Sequence, residues 1–141
     1  MLVRLLYASR TTSALVERGI DDILRQSRRN NIKCGITGML CLSNGVFVQV
    51  IEGGRADVSR LLGRIIADPR NSDVQILMFE EISERRFGNW TMGQVNIASV
   101  NPALLLKYSA RPVLDPYTAG GAATMKLLIE MAESGAIAQR E

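Results

Sequence analysis

Tyr7, Asn30, Asn31, Gln49, Trp90 and Met92 are the side chains of this sequence whose type and setting ask for a chemical explanation. Gln49 is the sharpest case. It falls inside GVFVQVIEGG, residues 45–54, where Val46, Phe47, Val48, Val50 and Ile51 surround it with β-branched and aromatic bulk. An amide carries two donors and two acceptor lone pairs, and leaving it unpaired in such a setting costs roughly 1–3 kcal/mol. Some partner must hydrogen-bond to it. Taken singly, the others have ordinary explanations. A strand-end tyrosine is a core residue with a satisfied hydroxyl, and Asn30-Asn31 reads as a helix end. Trp90 and Met92, two apart on a strand, share a face as core filler.

Conventional catalysis has little to work with. The chain of 141 residues contains no histidine, so a serine or cysteine nucleophile lacks its common base and imidazole acid–base chemistry is excluded. Cys34 and Cys41, with no histidine or third cysteine, make no zinc set and read as reduced thiols. Glu52 has no second carboxylate at a fixed spacing, and Gly53-Gly54 reads as a strand-to-helix turn rather than an anion site. The net charge of +3 is a small excess, its one dense basic stretch (Arg25 to Arg29) belongs to a helical pattern, and aromatics are only 5% of the chain. Nucleic-acid binding is therefore not expected. MLVRLLYAS is too short for a signal sequence and no stretch approaches 18 apolar residues, so the expectation is a cytoplasmic protein without a membrane span.

Candidate residues need elements to place them. Residues 2–9 read as a strand, and the helical spacing of Val16, Ile20, Ile23 and Leu24 predicts an amphipathic helix ending at Asn30-Asn31. Residues 35–53 read as two strands about a Ser43-Asn44-Gly45 turn, where Asn-Gly is a strong hairpin signal. Val58, Leu61, Leu62, Ile65 and Ile66 make a second helix that Asp68-Pro69 stops. VQILMFEEIS and WTMGQVNI follow as strands. The order βαββαββ predicts an α+β, ferredoxin-like mixed sheet with two helices on one face. Beyond it, ALLLKYSA and ATMKLLIEMAESG predict two C-terminal helices. Leu104, Leu105, Leu127, Leu128 and Met131 are expected to be exposed there and to drive self-association.

Several separated segments resemble one family in the right order. LLYASR, SRRNNIKCGITGMLCLSNGVFVQVIEGG, IIADPRNSDVQIL and RRFGNWTMG are similar to the BLUF domain, a flavin-binding blue-light sensor, over roughly residues 2–97. The tail LLLKYSARPVLDP resembles the extension of short stand-alone members. The resemblance implies a sensor domain over 1–97 and an extension over 98–141 for output or oligomerisation. It also implies a flavin between the two helices, FAD with FMN and riboflavin as alternatives. Tyr7 and Gln49 match the photoactive tyrosine and glutamine, with Trp90 and Met92 as the residues that readjust beside them. Asn30 and Asn31 match positions that bind the ring edge, and Ile23, Ile36, Ile65 and Ile66 match apolar walls. Arg64, Asp68 and Arg70 match contacts to the ring edge, ribityl chain or phosphate, and Asn71 stands where many members have histidine.

The implied function is a non-enzymatic photoreceptor that switches a separate partner, a cyclic-dinucleotide phosphodiesterase or a transcriptional regulator, since the stretch after the sensor core is too short for an output enzyme. A flavin-dependent redox enzyme and a flavin-free interaction module are the competing expectations.

Overall fold

The computed structural model describes residues 1–11, 18–95, 97–134 and 137–139, without the side chains of residues 18–21, 23, 98 and 137–139. Its elements are β1 (Leu2–Thr11), α1 (Arg18–Cys34), β2 (Thr37–Ser43), β3 (Val46–Gly54), α2 (Arg55–Ala67), β4 (Asn71–Ile82) and β5 (Gly93–Val95). A 3-10 turn (Ile97–Ser99), α3 (Pro102–Tyr108), α4 (Pro116–Glu133) and β6 (Ile137–Gln139) follow. The sheet order is β4-β1-β3-β2-β5-β6. Among the described residues only β2 and β5 pair in parallel. The first four strands with α1 and α2 form the expected ferredoxin-like unit.

Both faces of the sheet are covered, which is why β1 is nearly continuous in apolar residues instead of alternating. Val3, Leu5 and Tyr7 share one core with Leu24 of α1 and Val58 of α2, joined by Leu40, Phe47 and Ile51. Leu6 and Ala8 share the other with Leu105 of α3 and Met125, Leu127, Leu128 and Met131 of α4. The tail residues expected to be exposed are therefore covered by the sheet, while Leu106 and Val113 stay on the surface at 51% and 40% exposure. Leu105, Leu127, Leu128 and Met131 are at most 4% exposed and Leu104 packs against the same core, so the expected self-association through them loses its basis. An amphipathic pattern marks a covered face without saying what covers it, and here it is the same chain's own sheet. Gly121 permits the approach: a Cβ there would lie 2.3 Å from the Leu77 carbonyl oxygen of β4.

Local chemistry explains the boundaries. Asn44 and Gly45 both have positive φ (52° and 76°), the backbone a tight two-residue hairpin turn requires. Asn30 and Asn31 do not end α1, contrary to the sequence reading. The helix runs on to Cys34, and Gly35 at φ 66° stops it, with the Ile36 N–H donating to the Asn31 carbonyl at 2.9 Å. This is a glycine-capped Schellman end, and it leaves both asparagine side chains available for other work. The expected fifth strand over 90–97 shrinks to Gly93–Val95. Trp90 and Met92 precede it in a non-repetitive segment. Among the described residues no helix is long and apolar enough to cross a membrane.

Candidate functional site

A cleft of about 230 Å³ opens between α1 and α2 over the sheet. Its floor is Tyr7 of β1 with Phe47 and Gln49 of β3, neighbours because Tyr7 and Gln49 are directly paired in the antiparallel register. Gln26, Ser27, Asn30 and Asn31 line it from α1, Leu61, Arg64 and Ile65 from α2, and Asp68, Arg70 and Asn71 from the turn into β4.

Gln49, 6% exposed, has both ends of its amide engaged. The Tyr7 hydroxyl donates to Gln49 Oε1 at 2.5 Å, and Gln49 Nε2 donates to Met92 Sδ at 3.2 Å. The phenol can donate or accept, but the thioether offers only lone pairs, so it is Met92 that favours this orientation of the amide over the reversed one. Burial pushes the Tyr7 phenol well above its ordinary pKa, with the Asp68 carboxylate adding in the same direction. At neutral pH it is a phenol held against a single acceptor.

Met92 is itself held. Its carbonyl accepts from Arg28 Nε and Nη2 at 3.1 and 3.0 Å, and the Thr91 carbonyl accepts from Asn31 Nδ2 at 3.0 Å. Trp90 is separated from this arrangement. It belongs to the core shared with α4, on the opposite side of the sheet from Met92, because the segment that carries them crosses the sheet's flank instead of running as a strand. Its Nε1 is buried without a hydrogen-bond partner among the described residues.

At the far end of the cleft Arg70 is tied to Asp68. The Asp68 carboxylate accepts from the Arg70 backbone N–H, Nε and Nη2 at 2.6–3.0 Å. Those hydrogen bonds hold its carboxyl below the usual range. Asn71 links the rim, accepting from Ser9 Oγ at 3.2 Å and donating to the Ile65 carbonyl at 3.4 Å.

Of the expected apolar walls whose side chains are described, only Ile65 lines the cleft. Ile66 faces solvent at 57% exposure, one residue round the helix, and Ile36 is buried with Val58 against Gly53. The Ile23 side chain lies outside the described residues. Gln26, Ser27, Phe47 and Leu61 were missed, although periodicity marks them: Gln26 and Ser27 stand four before Asn30 and Asn31, Leu61 four before Ile65, and Phe47 two before Gln49.

An isoalloxazine edge offers acceptors at N5 and its carbonyls and a donor at N3, and the side-chain amides around this cleft supply both complements. The residues present fit a flavin. The sequence profile of the BLUF family, sensors of blue-light using FAD, matches residues 2–93. The chain belongs to the BLUF family. Domains of this family sense blue light with FAD, and two solved chains are matched almost end to end. One, BlrB in its dark state, is 34% identical with a TM-score of 0.80, over 94% of this chain and 96% of that one. The other, BlsA in its photo-activated state, is 28% identical with a TM-score of 0.83, over 100% and 99%. A photoactivated adenylate cyclase subunit beta of Euglena gracilis is 36% identical over 92 residues, 64% of this chain but 11% of that subunit. This BLUF chain thus spans only a small part of the curated relative it matches.

Proposed function

We propose that this protein is a non-enzymatic photoreceptor in which Tyr7 and Gln49 form the photochemical pair, FAD fills the cleft, and the output is contact with a separate protein. The observation that carries the reading is the Tyr7–Gln49–Met92 chain, a buried phenol, amide and thioether joined end to end in the floor of the cleft between α1 and α2. A flavin excited by blue light is a strong oxidant. Tyr7 supplies the electron, and its proton leaves along the short hydrogen bond to Gln49 Oε1. When electron and proton return to the phenol, the amide is left rotated or tautomerised, and its hold on Met92 changes. No covalent bond to the protein is needed.

In this reading residues 1–97 carry the light chemistry and 98–141 carry the output, in the cytoplasm. A cyclic-dinucleotide phosphodiesterase or a transcriptional regulator is the partner class proposed. The absorption spectrum of the purified protein tests it. A reversible red shift of the flavin band under blue light is expected. Irreversible bleaching with a reductant would favour a redox enzyme instead, and a colourless protein after loading with FAD would overturn the reading.

Asp68 and Arg70 give a further test at the tail of the flavin. While Asp68 is ionised it holds the Arg70 guanidinium away from a phosphate. Asp68→Asn should therefore strengthen FMN binding relative to riboflavin by about tenfold, the value of one added charge-assisted hydrogen bond. Calorimetric titration with both flavins measures it, and an unchanged ratio would remove Arg70 from the phosphate end. Because the Asp68 carboxyl is held below its ordinary value, the latch is in place at neutral pH and is lost only as pH falls through that lowered value.

A further inference from the structure

Glu52 is the one acidic side chain with no exposure to solvent among the described residues, and it lies three positions beyond Gln49 on the same strand. Strand alternation puts the two on opposite faces of the sheet. Its carboxylate is fully engaged. Oε2 accepts from Arg4 Nε at 2.8 Å, and Oε1 accepts from the backbone N–H groups of Phe87 at 2.7 Å and Arg86 at 3.0 Å. Arg4, 12% exposed, continues to Glu80 at 2.7 Å. Next to it Arg85 donates to the Thr37 hydroxyl and to the carbonyls of Glu52 and Gly35.

The segment so gripped is the one that ends at Met92. Following the chain from Phe87, the Trp90 carbonyl accepts from the Gly38 N–H at 3.0 Å, and Met92 Sδ then meets Gln49. One strand thus holds the two ends of one segment, with a carboxylate at Phe87 and an amide at Met92, from opposite faces of the sheet. Between those ends lies Trp90, whose indole N–H has no partner among the described residues. A cavity of about 160 Å³ separates Arg86, Phe87 and Trp90 from Ile129, Ala132 and Glu133 of α4.

We infer that Glu52 is a positioning residue for the light response: it pins residues 86–87 so that a change in the Gln49–Met92 contact turns the segment about Phe87 and moves Trp90 toward α4. This rests on the photoreceptor reading of the same site. Were the segment unpinned at Phe87, a released Met92 would relax by sliding along the sheet flank and nothing would reach α4. The unpartnered indole and the cavity beside it leave Trp90 the element that can take a second arrangement.

Glu52→Gln in the flavin-loaded full chain tests the clamp. The amide oxygen is an uncharged, weaker acceptor for the Arg86 and Phe87 N–H groups, and the amide turns a donor toward Arg4, so the pin is loosened. The dark absorption band should stay at the wild-type position, the thermal return of the red-shifted state should change by about fivefold or more, and the ¹⁵N–¹H resonance of the Trp90 indole should move in the dark protein. Should that variant not fold, Glu52→Asp, whose shorter side chain draws the carboxylate back from the Arg86 and Phe87 N–H groups, is read for the same changes. Glu80→Gln, which spares the Arg4–Glu52 contact, should match wild type in all three. A lowered unfolding midpoint with recovery within about twofold of wild type and an unmoved indole resonance would reduce Glu52 to a structural residue and overturn the inference. A wild-type protein that binds flavin but shows no red shift would instead overturn the photoreceptor reading, and the indole resonance would then decide the clamp alone.

Discussion

Tyr7→Phe gives a protein that stays yellow and shows no red-shifted state under blue light. The substitution deletes one hydroxyl and leaves the ring packed beside Phe47, at a centroid separation of 6.3 Å, so the cleft keeps its shape. What disappears is the proton that rides with the electron, and with it the means of changing Gln49. Gln49→Leu should abolish the response equally, since leucine keeps the bulk but neither accepts from the phenol nor donates to Met92 Sδ. The two differ in stability. Tyr7→Phe loses a hydrogen bond worth about 1 kcal/mol, whereas Gln49→Leu strands a buried phenol without its acceptor and should cost roughly 1–3 kcal/mol. Flavin titration, difference spectroscopy and thermal unfolding check all three points. A normal reversible shift in either variant would assign the chemistry to the wrong pair.

Removing residues from Pro112 onward should cost the protein its cooperative fold and its flavin together. The tail can be the output element and still be indispensable to folding, because Leu114, Leu127, Leu128 and Met131 close the core on the second face of the sheet. Each buried side chain of this size contributes roughly 1.5–3 kcal/mol. Their sum approaches the 5–15 kcal/mol that holds a whole domain of this kind together. Uncovering Leu6, Ala8, Val48 and Val50 would also expose a flat apolar sheet face, so aggregation is the expected outcome in size-exclusion chromatography. A soluble fragment that unfolds cooperatively and binds flavin would show that α4 only rests on the sheet.

How far the sequence could be read follows from where its information is local. The hairpin was legible because Asn44-Gly45 names its own turn, and Gln49 because one amide interrupts an apolar run. Tyr7 and Gln49 then follow from strand alternation and a family resemblance. Glu52 was not legible. Nothing in its neighbours distinguishes a solvated carboxylate at a strand end from one enclosed by Arg4 and two N–H groups, since those partners come from 48 and 34–35 residues away. Trp90 and Met92 were misplaced for the same reason: their spacing predicts a shared face only if they lie on a strand, and the hydrogen bonds that prevent this come from Arg28, Asn31 and Gly38. The tail misled because periodicity reports an apolar face and not its cover.

The position of β1 between β3 and β4 bears on how the protein is made. Tyr7 and Gln49 are 42 residues apart in sequence, and Leu2 pairs with Ile82 across the other ladder, so the cleft floor closes only after two long loops have been drawn in. Loop-closure entropy must be overcome before either ladder gains its hydrogen bonds, which sets a slow, topology-limited search. A cleft whose floor and rim are assembled from strands this far apart in sequence offers a flavin little to grip early in that search. Flavin therefore acts on the finished fold by mass action, slowing its unfolding and leaving its rate of assembly nearly untouched.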